Sequence, residues 1–199
     1  NVASVPQRSP FRYPGGKTWF VPTFRRWIAS QTVKPRILVE PFTGGGIISQ
    51  SHLMLTNVHV TGNKAESGGG VFLGVGDGIF VGCTFSGNTA DGDGGGINYQ
   101  APGRTLRLVN STVSGNQASS GGGINSISFS NANTRLEVVS STIANNSSTN
   151  YGGIYIEAFD TSTATTTLRN TIIANNSPTN LATQAGGGVE TFQTLGFNL

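Results

Sequence analysis

The sequence predicts an all-β fold, a right-handed parallel β-helix of about five coils over residues 44–199, with a short helical or loop segment over residues 1–43 ahead of it. Three observations predict it. First, five segments share one pattern: Leu55–Asn63 (LTNVHVTGN), Phe80–Asn88 (FVGCTFSGN), Leu108–Asn116 (LVNSTVSGN), Val138–Asn146 (VVSSTIANN) and Leu168–Asn176 (LRNTIIANN). Each opens apolar, carries an apolar residue three before its end and closes on Asn, with the closing asparagines 25, 28, 30 and 30 residues apart. Second, a glycine motif follows each: Gly68-Gly69-Gly70-Val71, Gly94-Gly95-Gly96-Ile97, Gly121-Gly122-Gly123-Ile124, Tyr151-Gly152-Gly153-Ile154 and Gly186-Gly187-Gly188-Val189. Third, charged residues make up only 11% of the 199 residues and 29 are Gly. Such a composition means either disorder or a repetitive β structure with small polar turns, and two motifs recurring together decide for the latter.

The first element in chain order is of another kind. Residues 1–50 carry Arg8, Arg12, Lys17, Arg25, Arg26, Lys34 and Arg36 against Glu40 alone, whereas residues 51–199 carry five bases and eight acids. Such asymmetry marks two origins for the chain, or a basic arm on a near-neutral body. Pro22–Ser30 (PTFRRWIAS) predicts a short helix with proline near its start, and Ile37-Leu38-Val39-Glu40 reads as a buried parallel strand. Phe11-Arg12-Tyr13-Pro14-Gly15-Gly16-Lys17 followed by Glu40-Pro41-Phe42-Thr43-Gly44-Gly45-Gly46 resembles the opening of Dam-like DNA adenine methyltransferases. The resemblance implies an S-adenosylmethionine pocket, with Tyr13 and Lys17 lining it and Phe42, Gly44 and Gly46 forming the turn. The chain departs from that family in having no Asp-Pro-Pro, the motif that holds the extruded adenine. No bound cofactor is therefore expected. Instead, Trp19, Phe20, Phe24, Trp27 and Ile28 form a sticky face suited to capping the first coil, with Trp27 buried and Lys17 exposed.

Gly44-Gly45-Gly46-Ile47 fits both signals, since it also matches the coil's glycine motif 24 residues before Gly68. The junction is placed inside residues 43–48, as in a fusion or chimera. From there each coil needs short strands joined by tight corners, and neighbouring coils pair at roughly 4.8 Å. One coil cannot bury its apolar face, so stacking must do so. Leu55, Phe80, Leu108, Val138 and Leu168 are expected to form one inward column, and Val60, Phe85, Val113, Ile143 and Ile173 a second. Val71, Ile97, Ile124, Ile154 and Val189 are expected to form a third, after the glycines. Asn63, Asn88, Asn116, Asn146 and Asn176 are assigned a structural role, in left-handed corners with their amides stacked as a ladder. Ser128–Thr134 and Asp160–Thr166 read as polar loops leaving the coil.

The N-x-T-[VI]-x-x-N stretches followed by GG[IV] resemble the β-helix repeats of bacterial polymorphic outer-membrane proteins and related anchored surface proteins. Leu195-Gly196-Phe197-Asn198-Leu199 resembles a segment that follows the last coils there. The resemblance implies a secreted or cell-surface protein, whereas the methyltransferase-like start, if native, implies a cytoplasmic one.

Chemistry in the coils is sparse. Asp91 and Asp93, in Asp-Gly-Asp-Gly-Gly-Gly, are weak Ca²⁺ candidates, although Asp beside Gly is first of all a turn dipeptide. His52 and His59, seven apart, do not make a metal pair. Cys83, the only cysteine, aligns with Val58, Ser111, Ser141 and Thr171, a column of inward small residues, and reads as an inert thiol. His59 aligns with Thr84, Thr112, Thr142 and Ile172 and reads as outward. No catalytic set can be assembled from repeat positions, and no stretch approaches the apolar length of a membrane span. Three functions stay open: a non-catalytic surface scaffold, adhesin-like or carbohydrate-binding; a polysaccharide lyase or hydrolase; and a methyltransferase remnant. Carbohydrate or another surface ligand is the expected partner, held on outer Ser and Thr columns. Nucleic acid is not expected, and the open solenoid ends allow end-to-end self-association.

Overall fold

The computed structural model describes residues 46–199, and over them the chain is built from strands alone. The expected helix at residues 22–30 and the capping role of residues 11–42 lie outside the described residues. Each of the first four coils contributes one short strand to each of four sheets and the fifth to three of them, and every pairing between strands is parallel. The first sheet stacks Ile47–Ser49, Val71–Leu73, Ile97–Tyr99, Ile124–Ser128, Ile154–Phe159 and Leu181–Gly186. The second stacks Leu53–Thr56, Gly78–Val81, Thr105–Val109, Asn133–Val139, Thr163–Arg169 and Val189–Leu195. The third takes His59–Thr61, Thr84–Ser86, Thr112–Ser114, Thr142–Ala144 and Ile172–Ala174, and the fourth Lys64–Ala65, Thr89–Ala90, Gln117–Ala118 and Ser147–Ser148. The result is a parallel β-solenoid of about five turns, with two strands of a sixth laid on the last.

The alternation within each strand sets its two faces. In the third sheet Val60, Phe85, Val113, Ile143 and Ile173 stack in one register, and all five are buried. Leu55, Phe80, Leu108, Val138 and Leu168 do the same in the second. The two columns meet inside, where the rings of Phe80 and Phe85 lie 5.3 Å apart.

The third column departs from expectation at its end. Val71, Ile97, Ile124 and Ile154 are in register, but the next partner is Leu181, not Val189. Thr179 and Asn180 take the place of the glycines, their carbonyls accepting from the Gly153 and Ile154 amides. Val189 instead pairs with Thr163 in the second sheet, where it is 59% exposed. The triplet Gly186–Gly188 sits at the corner between the last two strands, so its likeness to the coil motif is misleading.

The two polar inserts are also not loops. Only short turns leave the sheets, at 129–132 and 160–162, and the remainder lengthens the second-sheet strands to seven residues each. The reason lies in alternation: Thr134, Leu136 and Val138, and then Ala164, Thr166 and Leu168, point inward and are buried. A β-branched threonine serves a pleated surface as well as valine does.

Corners follow a rule finer than the sequence suggested. The left-handed residue is the one before each closing asparagine: Gly62, Gly87, Gly115, Asn145 and Asn175 have positive φ, from 56° to 68°. A second left-handed column, Asn57, Gly82, Asn110, Ser140 and Asn170, turns the chain between the second and third sheets. Only Gly, Asn and one Ser occupy these ten sites, as the steric cost of a β-carbon in that region requires.

The closing asparagines themselves point inward and are buried. Asn63, Asn88, Asn116 and Asn146 each donate Nδ2–H to the Oδ1 of the next rung at 2.9–3.0 Å, and their backbone N–H groups donate to the same oxygen. Asn176 ends the ladder on Asn180 Oδ1 at 3.0 Å.

Candidate functional site

Of the residues expected to shape a cofactor turn, Tyr13, Lys17, Phe42 and Gly44 lie outside the described residues. Gly46 belongs to the first coil: its N–H donates to Gly69 O at 3.1 Å, and Ile47 N–H donates to Gly70 O at 2.9 Å. A β-carbon on Gly46 would run into the Gly70 carbonyl, Val60 and the Asn63 amide. This glycine is consumed by coil-on-coil packing.

The two aspartates do not converge. Asp91 turns its carboxylate to Lys64 Nζ at 3.0 Å, both side chains well exposed. Asp93 is half-buried and holds its neighbours through its backbone, the carbonyl accepting from Gly68 N–H at 2.9 Å. Burial raises its carboxyl above the usual carboxylate range. Among the described residues no three His, Cys, Asp or Glu side chains gather as a metal site.

Cys83 is buried in the inward column with Ser111, Ser141 and Thr171, and burial pushes its thiol up, away from the reactive thiolate. Its N–H donates to Ser111 Oγ at 3.1 Å, and Ser111 N–H to Ser141 Oγ at 3.0 Å, a second ladder beside the asparagines. His59 points outward and is exposed. His52 is exposed beside Asp77, whose N–H donates to His52 Nδ1 at 3.1 Å.

The corner ahead of the fifth coil holds a group not apparent in the repeat. Where the earlier corners carry left-handed Gly68, Gly94 and Gly121, this one carries Tyr151, outside the left-handed region. Its ring stacks on that of Tyr155, four residues on, at 4.3 Å and nearly parallel. The Tyr151 hydroxyl donates to Gln184 Oε1 at 3.0 Å and the Tyr155 hydroxyl to Glu157 Oε2 at 2.8 Å. Burial first, and the Glu157 carboxylate second, raise the Tyr155 phenol above its ordinary value. Both hydroxyls are satisfied within the cluster, which therefore braces the corner in place of glycine.

Among the described residues, the outer faces of the second and third sheets are the broadest strand surfaces open to a ligand. In the third, His59, Thr84, Thr112, Thr142 and Ile172 form one outward column and Thr61, Ser86, Ser114, Ala144 and Ala174 the other. In the second, Thr105, Arg135, Thr165 and Thr191 stand in one column and Arg107, Glu137, Thr167 and Gln193 in the next. Side chains in one column are held roughly 4.8 Å apart by the ladder beneath them. The second-sheet face is apolar in the first two coils, through exposed Met54 and Ile79, carries its charged and hydroxyl side chains on the third to fifth coils, and is apolar again at exposed Val189 and Leu195.

Arg107 and Arg135 in these columns, and Arg169 in the next column after Val109 and Val139, lie outside the candidate sites read from the sequence, yet a signal is present. Inward Leu108, Val138 and Leu168 each stand eight residues before a closing asparagine. Arg107, Arg135 and Arg169 stand nine, eleven and seven before theirs. Odd offsets on a period-two strand place all three on the outer face.

Comparison with protein-family models, with curated proteins and with solved structures finds no match to the chain. Among the described residues, no helix is long and apolar enough to cross a membrane.

Proposed function

We propose that this chain is a non-catalytic surface or secreted scaffold that binds carbohydrate on the outer faces of its coils. The observation that supports this most is the register-locked lattice of hydroxyls. Thr84, Thr112 and Thr142 are direct neighbours in one column, with Thr61, Ser86 and Ser114 beside them. A hydroxyl both donates and accepts, as sugar hydroxyls do, and a repeating array meets a repeating polymer in register. Each such hydrogen bond contributes only about 0.5–1.5 kcal/mol net, so affinity must come from many at once. The resemblance of the repeats to those of anchored surface proteins points the same way.

A panel of immobilised glycans, followed by titration calorimetry on those that bind, tests the reading. Saturable binding without release of shorter products is expected. Accumulation of new reducing ends or of unsaturated oligosaccharides would show instead that the solenoid is a hydrolase or lyase.

A further inference from the structure

We propose that the second-sheet face is a binding surface for an acidic polysaccharide, a polymer bearing a carboxylate or sulfate on successive sugars and lying along the solenoid axis. The proposal rests on the carbohydrate reading above and names the class of glycan.

Residues 46–199 contain five basic side chains: Lys64, Arg104, Arg107, Arg135 and Arg169. Lys64 stands on the fourth sheet and is engaged by Asp91 at 3.0 Å. The four arginines all belong to the second sheet or the corner entering it, and all four are exposed. Arg107, Arg135 and Arg169 come one from each of three consecutive coils, at the middle, leading and trailing outward positions of their strands. Glu137 is the only acid among the outward positions of these strands. It faces Arg107 at 3.7 Å with both side chains still substantially exposed, a loose pair that a ligand carboxylate can replace. Asp77 and Asp160 flank the entering corner, where Asp77 Oδ1 accepts from Thr105 N–H at 2.8 Å. Glu190 turns away from the face, its carboxylate accepting from Ala158 N–H at 2.9 Å. The strands' outer surface is thus net positive on a solenoid body that is net negative.

Geometry selects the partner. Coils advance by roughly 4.8 Å, about the rise of one sugar in an extended chain, so a polymer running up this face passes one arginine-bearing strand per coil, with Arg135, Arg107 and Arg169 reaching it from three adjacent outward columns. Arginine's planar fork matches a carboxylate or sulfate bidentately. Thr105, Thr165 and Thr167 stand beside the arginines on the same strands, with Thr191 and Gln193 one strand beyond, and suit the neutral hydroxyls of the same sugars. A single-stranded nucleic acid would instead need aromatic platforms for its bases, and the outward positions of these strands carry none.

The test uses the full chain with polygalacturonate, its fully methyl-esterified neutral form, and single-stranded DNA as probes. Binding is measured by calorimetry or interferometry at two ionic strengths, for the wild type, R135Q, K64Q and the triple variant R107Q/R135Q/R169Q. Polygalacturonate should bind the wild type and weaken as salt rises, since exposed charges are screened. The triple variant should bind at least about tenfold more weakly, R135Q should fall between, and K64Q should match the wild type. All substituted side chains are exposed, and an unchanged circular dichroism spectrum and melting temperature confirm folding; should the triple variant not fold, R135Q against K64Q carries the comparison. Equal binding by the triple variant, or equal binding of the neutral ester, overturns this surface while leaving carbohydrate binding intact. Failure of every polysaccharide to bind overturns the carbohydrate reading itself. Tighter, arginine-dependent binding of DNA overturns the choice of partner.

Discussion

At the scale of single residues, the centre of the solenoid is held by amides that leave little slack. Asn116 Oδ1 accepts from the Asn88 backbone N–H at 2.9 Å and Asn88 Nδ2 at 3.0 Å, while its own Nδ2 donates to Phe85 O at 3.0 Å and Asn146 Oδ1 at 2.9 Å. Asn116→Ala strips four buried partners at once, and unmade hydrogen bonds in the interior cost more than the net worth of made ones. A loss of about 3 kcal/mol or more is expected by denaturant unfolding. Asn63, at the first rung, has a buried Oδ1 without a partner among the described residues, so Asn63→Ala should cost clearly less. Asp93 works in the opposite sense, because burial raises its carboxyl and the ionised form is the disfavoured one in the fold. Between the ordinary carboxylate value and the raised one the native state binds more proton than the unfolded chain, so this group's contribution falls as pH rises through that window. Asp93→Asn should therefore stabilise the protein at neutral pH and remove that part of the acid-side slope. Thermal unfolding of both proteins across the acidic range measures it, and identical slopes would show that Asp93 is effectively solvated.

The single coil strand is the next scale, and here one residue's displacement along the chain exchanges inside for outside. Val113 is fully buried between Phe85 and Ile143, whereas His59 faces water in the same sheet. Val113→Asp puts an unpaired charge in a dry column and should cost about 3–5 kcal/mol or prevent folding. His59→Ala should shift stability by less than about 1 kcal/mol. Equal losses, read from parallel melts, would mean that the faces are misassigned. This in-and-out pattern was legible because apolar residues recur at fixed distances from each closing asparagine. What escaped reading had local physical causes. Gly186–Gly188 mimics the coil motif but only turns a corner, since Asn180 and Leu181 already fill the ladder and core positions. Asp160–Thr166 reads as a loop because threonine is polar, although from Thr163 onward its alternation is that of a strand. The left-handed site lies one residue before the asparagine to which the sequence assigns it, because Asn suits both an αL corner and an amide ladder and the repeat pattern does not tell them apart. The arginine face was readable from offset parity, but the columns its members occupy depend on strand register.

Over the whole molecule, stability is close to a sum over coils and the contacts between neighbours, because a solenoid has no contacts that skip a turn. The second and third coils are paired on both sides in all four sheets, and the fourth coil in three of them, through Ile124–Ser128 and Asn133–Val139 among others. The last two strands, Leu181–Gly186 and Val189–Leu195, pair on one side only. Their side chains add less than those of a full coil: Val189 and Leu195 are largely exposed, and only Leu181 and Phe192 pack against the core from them. The same asymmetry bears on binding, since Arg107 and Arg135 rise from doubly paired strands and Arg169 from the strand next to the fraying end. Opening should therefore begin at that end and cost far less than global unfolding. Native-state hydrogen exchange should show amides of Leu181–Gly186 and Val189–Leu195 exchanging fastest among the strands. Protection should climb through Thr163–Arg169 to a maximum at Ile124–Ser128 and Asn133–Val139. An acidic polysaccharide bound across the arginines should slow exchange most at Thr163–Arg169, where local opening is still frequent enough for ligand to suppress it. Uniform protection from end to end, moving as one block on adding denaturant, would show that the coils unfold all together and that neighbour-only coupling does not describe this chain.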